Sequence, residues 1–351
     1  MEIIKTPLKK DELYIQRCLD IAKLGAGSVS PNPLVGAVLL HDEEIIGEGY
    51  HKAYGSAHAE VNTLESVPPS KRHLIPESTL FVSLEPCSIT GHTPPCTSLI
   101  INNKIKAVVT SATDYTPGVY QQSKRILLAN NIPVTDKILY REGNQLCAYR
   151  EKYIRTKLPY IILKYAQTKD GFIGKKNNQQ YWISNAYSRR LVHKWRSEVD
   201  AILVGTNTAL IDNPSLTTRY YFGKSPIRIL IDKDLRVPNH YELFNEEVKT
   251  IVFNQVKNEV QGNIEWIQLD FTKDILPQLL TILHDRAIAT LLVEGGAQTL
   301  QTFIKGGLWD EARVITADKL LGDGIPAPQL DVPTRQTVVL DTDVVEVYFR
   351  E

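Results

Sequence analysis

Apolar residues between positions 11 and 26 recur three and four apart, at Tyr14, Cys18, Ile21 and Leu24, the spacing of one helix face. Two short runs follow, 34–40 (LVGAVLL) and 44–49, split by the polar His41-Asp42-Glu43. Two such runs about a polar tripeptide predict a hairpin of two strands. Next come a helix at 57–66, a strand at Thr79–Leu84 and, after two prolines, a helix at 97–102. A strand at 107–111, a helix at 123–130 and a short strand led by Ile132-Pro133-Val134 complete this half. Helices alternating with short apolar strands predict a layered α/β domain.

The charged stretch 150–157 (REKYIRTK), followed by Pro159, is the boundary this pattern suggests. It gives domains 1–152 and 153–351. A second alternation begins beyond it. Strands are expected at 160–165, Ala201–Gly205, Ile227–Ile231, Thr250–Asn254, 264–269, Thr290–Val293, 312–316 and 344–349. Helices are expected at 187–197, 275–286 and 298–306. Ser184 or Asn185 is placed to cap the first of these, because a short oxygen-bearing side chain can accept from a free N–H of the first turn. There is no internal repeat and no low-complexity tract.

Composition narrows the function classes. The 351 residues are 43% hydrophobic and 23% charged, which is ordinary for a globular protein. Lys+Arg and Asp+Glu number 40 each, so the formal net charge is zero. Proteins that hold long nucleic acids usually carry a basic excess to neutralise phosphates, so no nucleic-acid partner is expected. No apolar run reaches the ~18 residues of a membrane span. Residues 1–16 mix charged and apolar side chains and lack the apolar core of a secretory signal. The expected location is cytoplasmic, with no membrane partner. The four cysteines are too sparse for a disulfide scaffold. Cys18 falls on the apolar helix face and reads as a packed core thiol, and Cys147 carries no specific signal. Cys87 and Cys96 share a Pro-rich loop and need an explanation.

His58 and Glu60 open one predicted helix, Pro86-Cys87 follows a strand, and Pro94-Pro95-Cys96 starts the next helix. One imidazole and two thiols supply three ligands for zinc. Catalytic zinc sites keep three protein ligands and one position for water, whereas structural sites usually close with four. Bound zinc brings the pKa of its water towards ~7. Glu60, two residues from His58, is placed to take the water proton and pass it to a leaving amine without ligating the metal. Helix N-termini favour the thiolates through their free N–H groups. A His-x-Glu pair alone carries little weight; its conjunction with two cysteines in strand-to-helix settings points to zinc. The arrangement is that of the zinc nucleobase deaminases, except that eight residues separate the cysteines instead of two. His41, His51 and His92 read as surface or substrate-loop residues and not as ligands.

The string SLEPCSITGHTPPC (83–96) closely resembles the deaminase domain of the bifunctional riboflavin-biosynthesis deaminase/reductases. So do PNPLVGAVLL (31–40) and GEGYHKAYGSAHAEV (47–61). The resemblance implies that Asn32, whose amide offers both a donor and an acceptor, meets the edge of a pyrimidine. Between the cysteines, Ile89 stands where the family has His, and His92 where it has Arg. Further on, Asp114-Tyr115-Thr116-Pro117 replaces the family's Asp-Pro-x-Pro, and the later glycine is missing from 119–123. These changes spare the zinc residues and fall where the ribose phosphate would be held.

The second half carries LKYAQTKDGFIG (163–174), YWIS (181–184), HKWRSEVDAILVGTNTALIDNPSLTTR (193–219), PIRILID (226–232) and VEGGAQTLQTFIKGGLWDE (293–311). A strand ending in Gly295-Gly296 before a helix lets backbone N–H groups approach a phosphate. It is not a Gly-x-Gly-x-x-Gly fingerprint, so a standard dinucleotide fold is not supported. Together these runs resemble the reductase domain of the same family over nearly all of 158–325. That implies a dihydrofolate-reductase-like fold and NADPH. By position, Ala166, Trp182, Thr208, Asp212 and the loop 296–302, with Gly296, Ala297, Gln298 and Thr299, would contact NADPH. Gln180, Arg196, Leu216, Arg219 and Glu294 would contact the substrate, and Lys164 is a further polar candidate. The guanidinium fork of an arginine suits a phosphate. Glu294 ends a buried strand, where an unpaired carboxylate is costly, so it should have a partner. Asp170-Gly171 reads as a turn beside the cofactor.

The fold expected is α/β: a cytidine-deaminase-like three-layer domain followed by a dihydrofolate-reductase-like domain. The resemblance implies a bifunctional enzyme using zinc and NADPH. It would deaminate 2,5-diamino-6-(5-phosphoribosylamino)pyrimidin-4(3H)-one hydrolytically, then reduce the ribosyl side chain to ribityl. A homo-oligomer, dimer or tetramer, is the expected assembly. The rivals are a reductase with a degenerate deaminase half, a nucleic-acid-editing zinc deaminase with an unrelated tail, and a structural zinc module.

Overall fold

The computed structural model describes residues 8–90, 94–177 and 179–350, so His92 lies outside the described residues. The chain divides into two compact units, Met1–Lys157 and Leu158–Glu351.

In the first unit, β1 (Gly36–His41) and β2 (Glu44–Tyr50) form the expected antiparallel hairpin. With β3 (Thr79–Leu84), β4 (Ala107–Ala112) and β5 (Val134–Thr135) they make a sheet of order β2-β1-β3-β4-β5. β3, β4 and β5 run parallel. Successive strand side chains point to opposite faces. Ala37, Leu39, Leu80, Val82 and Val108 meet Leu64, Ile100 and Leu127. These three come from α2 (Ala59–Glu65), α3 (Cys96–Asn102) and α4 (Gln122–Ala129). Val38, Leu40, Phe81 and Val109 face the other way, onto Ile15, Cys18 and Leu19 of α1 (Lys10–Ala22). With both faces covered, the strands read as continuous apolar runs, and the unit has three layers. Cys18 is the core thiol expected: it is wholly buried and donates to Phe81 O at 3.4 Å. α1 lies close on β1 because Gly36 has no side chain; a Cβ there would stand 2.2 Å from Cys18 O.

A further helix, α5 (Tyr140–Thr156), runs through most of the charged stretch taken as a boundary. The apolar pattern misses it because only Gly143 and Cys147 on it are buried. Its end is marked by Lys157 in the left-handed region, at φ 58°.

The second unit opens with β6 (Tyr160–Thr168) and β7 (Phe172–Gly174), then α6 (Ala186–Ser197), β8 (Ala201–Gly205) and α7 (Thr206–Asp212). Next come β9 (Ile227–Ile231), β10 (Thr250–Asn254), β11 (Glu259–Gln261), β12 (Ile264–Gln268) and α8 (Ile275–Asp285). The unit closes with β13 (Thr290–Val293), α9 (Ala297–Lys305), β14 (Glu311–Ala317), β15 (Ile325–Pro326), β16 (Thr334–Leu340) and β17 (Asp343–Phe349). Ten strands share one sheet, in the order β11-β12-β10-β9-β8-β13-β6-β14-β17-β16. Every pair from β12 to β14 is parallel, and β11, β17 and β16 add antiparallel. Ile161, Leu163, Leu203 and Val293 pack with Leu279 of α8 and Leu300 and Phe303 of α9. Ile162, Ile202, Val204 and Leu292 face the opposite core with Ala209 of α7. α6 is capped by Asn185, which accepts from Ser188 N at 2.9 Å. No helix among the described residues is long and apolar enough to cross a membrane.

Candidate active sites

In the first unit, α2 and α3 begin side by side. His58 is the residue before α2, in extended conformation, and Cys96 is the first residue of α3. Cys87 lies three residues past the end of β3. His58 Nδ1 stands 3.3 Å from Cys96 Sγ and 3.6 Å from Cys87 Sγ, and all three ligand atoms lie within 4.8 Å of one another. The Cys96 N–H donates to Cys87 Sγ at 3.2 Å. The bond from the Cys96 thiol, with those from His58 and the Cys96 N–H, outweighs burial and holds the Cys87 thiol well below the ordinary thiol range. Cys96, giving its proton to that bond, is pushed up. One imidazole and two thiols at this separation fit a zinc ion, and no fourth protein ligand joins the cluster among the described residues. Glu60 stands in the first turn of α2, 3% exposed. Burial, and then the charge of Cys87, raises its pKa.

His58, Cys87 and Glu60 open on a pocket of about 200 Å³, lined also by Asn32, His51, Glu85, Ile89 and Asp114. Of the two readings open for His51, surface or substrate loop, the structure fits the second: it is 3% exposed and part of the pocket wall. Its Nδ1 lies 3.0 Å from Ala57 O, and its Nε2 lies 3.2 Å from Asn32 Nδ2. A carbonyl only accepts, so Nδ1 carries the proton and Nε2 accepts from the Asn32 amide. That fixes which way the Asn32 amide faces. α5 holds the same loop, through Tyr149 Oη donating to Asn32 O and Arg150 Nη1 donating to Pro31 O. His41 lines no part of the pocket; it lies 3.7 Å from Asp42 and 3.8 Å from Glu77.

The segment 114–123, where the chain departs from the family pattern, is ordered by its own contacts. Asp114 accepts from Thr116 N at 2.8 Å, and Tyr115 stacks on Tyr120 at 5.5 Å and 16°. Ser123 Oγ donates to Glu85 at 2.7 Å, and Ser88 Oγ donates to Gly118 O at 3.1 Å. Asp114, Thr116 and Val119 thereby line the pocket. Sequence reasoning passed over Glu85, although it lies within the quoted string 83–96; its partner is 38 residues away.

In the second unit the chain leaves β8 and β13 into α7 and α9, at the carboxyl ends of parallel strands where ligands bind in such sheets. A Cβ on Gly205 would stand 2.7 Å from Thr299 Oγ1, and one on Gly296 would stand 3.1 Å from Thr208 Oγ1. The two helix starts therefore approach closely at these glycines, with the hydroxyls of Thr208 and Thr299 between them. The loop expected at 296–302 is a correction: Gly296 is the residue before α9, and Ala297, Gln298 and Thr299 form its first turn. Two glycines suffice for the turn, and the apolar residues behind them enter the core.

Glu294, just past β13, is paired within the unit. Arg196 Nε and Nη2 donate to its two oxygens at 3.0 and 2.8 Å, and Lys164 Nζ of β6 lies 3.7 Å away. Burial alone would raise the Glu294 pKa, but Arg196 and Lys164 outweigh it and hold the carboxyl at about 2. Burial lowers the Lys164 pKa. Leu216 is buried in the core at 2% exposure, with its backbone in the left-handed region at φ 53°. Arg219 donates to Thr217 Oγ1 at 3.3 Å. Gln180 Nε2 reaches Asp212 O at 3.5 Å, which brings those two candidates together. Ala166 is half-buried on β6. Trp182 is 60% exposed, tied down by Lys319 donating to its carbonyl. Asp170 accepts from the N–H groups of Leu321 and Gly322, beside Gly171 at φ 82°.

Both units match known proteins. Residues 8–112 match the cytidine and deoxycytidylate deaminase zinc-binding region, and residues 159–345 match the RibD C-terminal domain. The riboflavin biosynthesis protein RibD of Aquifex aeolicus is 36% identical over 92% of this chain and 91% of its own. That of Escherichia coli is 32% identical over 89% of each. Among solved structures, a diaminohydroxyphosphoribosylaminopyrimidine deaminase/5-amino-6-(5-phosphoribosylamino)uracil reductase from Thermotoga maritima is 32% identical. It matches 97% of this chain and 98% of its own, with a TM-score of 0.89. Acinetobacter baumannii RibD is 28% identical over 98% of this chain and 99% of its own, with a TM-score of 0.85. The expected order of a deaminase domain and then a reductase domain holds, and the chain belongs to the RibD family of riboflavin-biosynthesis proteins.

Proposed function

We propose that the first unit deaminates 2,5-diamino-6-(5-phosphoribosylamino)pyrimidin-4(3H)-one and that the second reduces the ribosyl chain of the product with NADPH. The observation that carries the first half is the trio His58, Cys87 and Cys96 beside a buried Glu60, with His58, Cys87 and Glu60 at the wall of one pocket. Zinc, when bound there, supplies a Lewis acid and brings water to a pKa near ~7. Glu60, its proton affinity raised by burial, holds and moves a proton between water and the departing ammonia. Asn32, oriented by His51, reads the pyrimidine edge. The segment 114–123 bounds the pocket where the phosphoribosyl end would extend.

In the second unit the Gly205 and Gly296 turns, with Thr208, Ala297, Gln298 and Thr299, cradle NADPH. Ala166, Trp182 and Asp212 complete its contacts. Gln180, Arg196, Leu216, Arg219 and Glu294 hold the substrate, Arg219 meeting its phosphate. The cofactor brings the hydride, and the protein orients it. The enzyme works as a cytoplasmic homo-oligomer, a dimer or a tetramer, on a small molecule.

The test is to give the full chain the diaminopyrimidinone with NADPH and follow ammonia and NADPH together. The reading expects one ammonia released per NADPH oxidised. NADPH oxidation only when the deaminated intermediate is supplied would instead leave a reductase with an inert first half.

A further inference from the structure

Helix α6 grips the segment 215–219 at two points one turn apart. Arg196 Nη1 donates to Thr217 O at 3.3 Å, and His193 Nδ1 accepts the backbone N–H of Arg219 at 2.9 Å. His193 is 5% exposed, and its ring meets Tyr220 edge to face at 4.8 Å. A backbone N–H only donates, so Nδ1 is bare and the ring proton sits on Nε2. Burial, then the charges of Arg196 and Arg219, keep the ring neutral, with its pKa at about 4. The segment is anchored on either side, by the buried Leu216 side chain and by Ser225 Oγ, which accepts from Thr218 N at 3.0 Å. Arg219 has an exposed side chain whose Nη1 donates to Thr217 Oγ1 at 3.3 Å, so its guanidinium is held within the same segment that His193 ties down.

We propose that His193 is a positioning residue of the reductase site: its bare Nδ1 fixes the Arg219 backbone and so aims the guanidinium at the substrate phosphate. This rests on the reductase reading above. An acceptor at the Nδ1 position is what matters, so His193→Asn, whose amide oxygen has the same reach, should serve. His193→Phe keeps the ring and removes the acceptor, and His193→Gln sets its amide too far out.

The experiment is steady-state NADPH oxidation by the full chain with 5-amino-6-(5-phosphoribosylamino)uracil, with each variant checked for an unchanged melting transition. His193→Phe should raise KM for the uracil about tenfold, the size of one lost hydrogen bond, and leave kcat and KM for NADPH within about twofold. His193→Asn should stay within about twofold of wild type in all three. Should His193→Phe fail to fold, His193→Gln takes its place with the same expectation. Equal losses in His193→Asn and His193→Phe, or kcat and both KM values moving together, overturn the proposal. A wild-type chain that oxidises no NADPH with this substrate refutes the reductase reading instead. The contact is then judged by nitrogen NMR at pH 7: bare Nδ1 with protonated Nε2 supports it, and the reverse tautomer or an imidazolium overturns it.

Discussion

Arg196 closes on Glu294 through two parallel hydrogen bonds of 3.0 and 2.8 Å, with side chains only 12% and 8% exposed. A fork on a carboxylate in this setting is both strong and directional. Removing one partner leaves a buried charge. Arg196→Ala should therefore destabilise the second unit by about 3 kcal/mol, tempered by Lys164, and abolish NADPH oxidation. Arg196→Lys keeps the charge without the fork and should recover part of the stability but little activity. Thermal melting and NADPH oxidation check both.

The same pair gives a pH dependence. The Glu294 carboxyl is held at about 2, below its ordinary 4.5. A depressed carboxyl contributes stability that is complete above the unfolded value and is lost as pH falls through the folded one. The melting difference between wild type and Glu294→Gln should be constant above about pH 5 and shrink from there towards pH 2. A difference unchanged at pH 3 refutes the assignment.

Glu60→Gln keeps the shape and removes the titrating group. Ammonia release should fall by about 10²–10⁴, the usual share of a general acid–base. Zinc content by atomic emission and NADPH oxidation on the deaminated substrate should not change. Loss of zinc in this variant would show that Glu60 is a ligand.

Asn32 and His51 act as one unit. Asn32→Asp loses the donor to His51 Nε2 and places a charge on the pyrimidine edge, so KM for the diaminopyrimidinone should rise at least about tenfold. His51→Phe, which frees the amide to turn, should raise the same KM. Initial-rate measurements of ammonia release decide this; a change in kcat alone speaks against an orienting role.

How much of this the amino-acid order discloses varies by element. β3, β8, β9, β10 and β13 fall on their apolar runs, because strands covered on both faces need continuous apolar residues. α5 escaped, being buried only at Gly143 and Cys147. So did β16, an edge strand with Val338 and Val339 exposed at 51% and 67%. The zinc trio was legible because metal chemistry needs specific side chains in short strings. The Arg196–Glu294 grip joins residues 98 apart, and His193 to Arg219 pairs a side chain with a backbone group; neither leaves a local signal. The orientation of Asn32 depends on a tautomer of His51 that only the position of Ala57 O decides.

The claim on which the account turns is that His58, Cys87 and Cys96 bind one hydrolytic zinc. The most direct measurement is ammonia release from the diaminopyrimidinone by the full chain without NADPH, after metal removal and again after titration with zinc. The account requires release to vanish on stripping and return in proportion to zinc, saturating at one ion per chain. Release that survives stripping, or fails to return with one bound zinc, would contradict it.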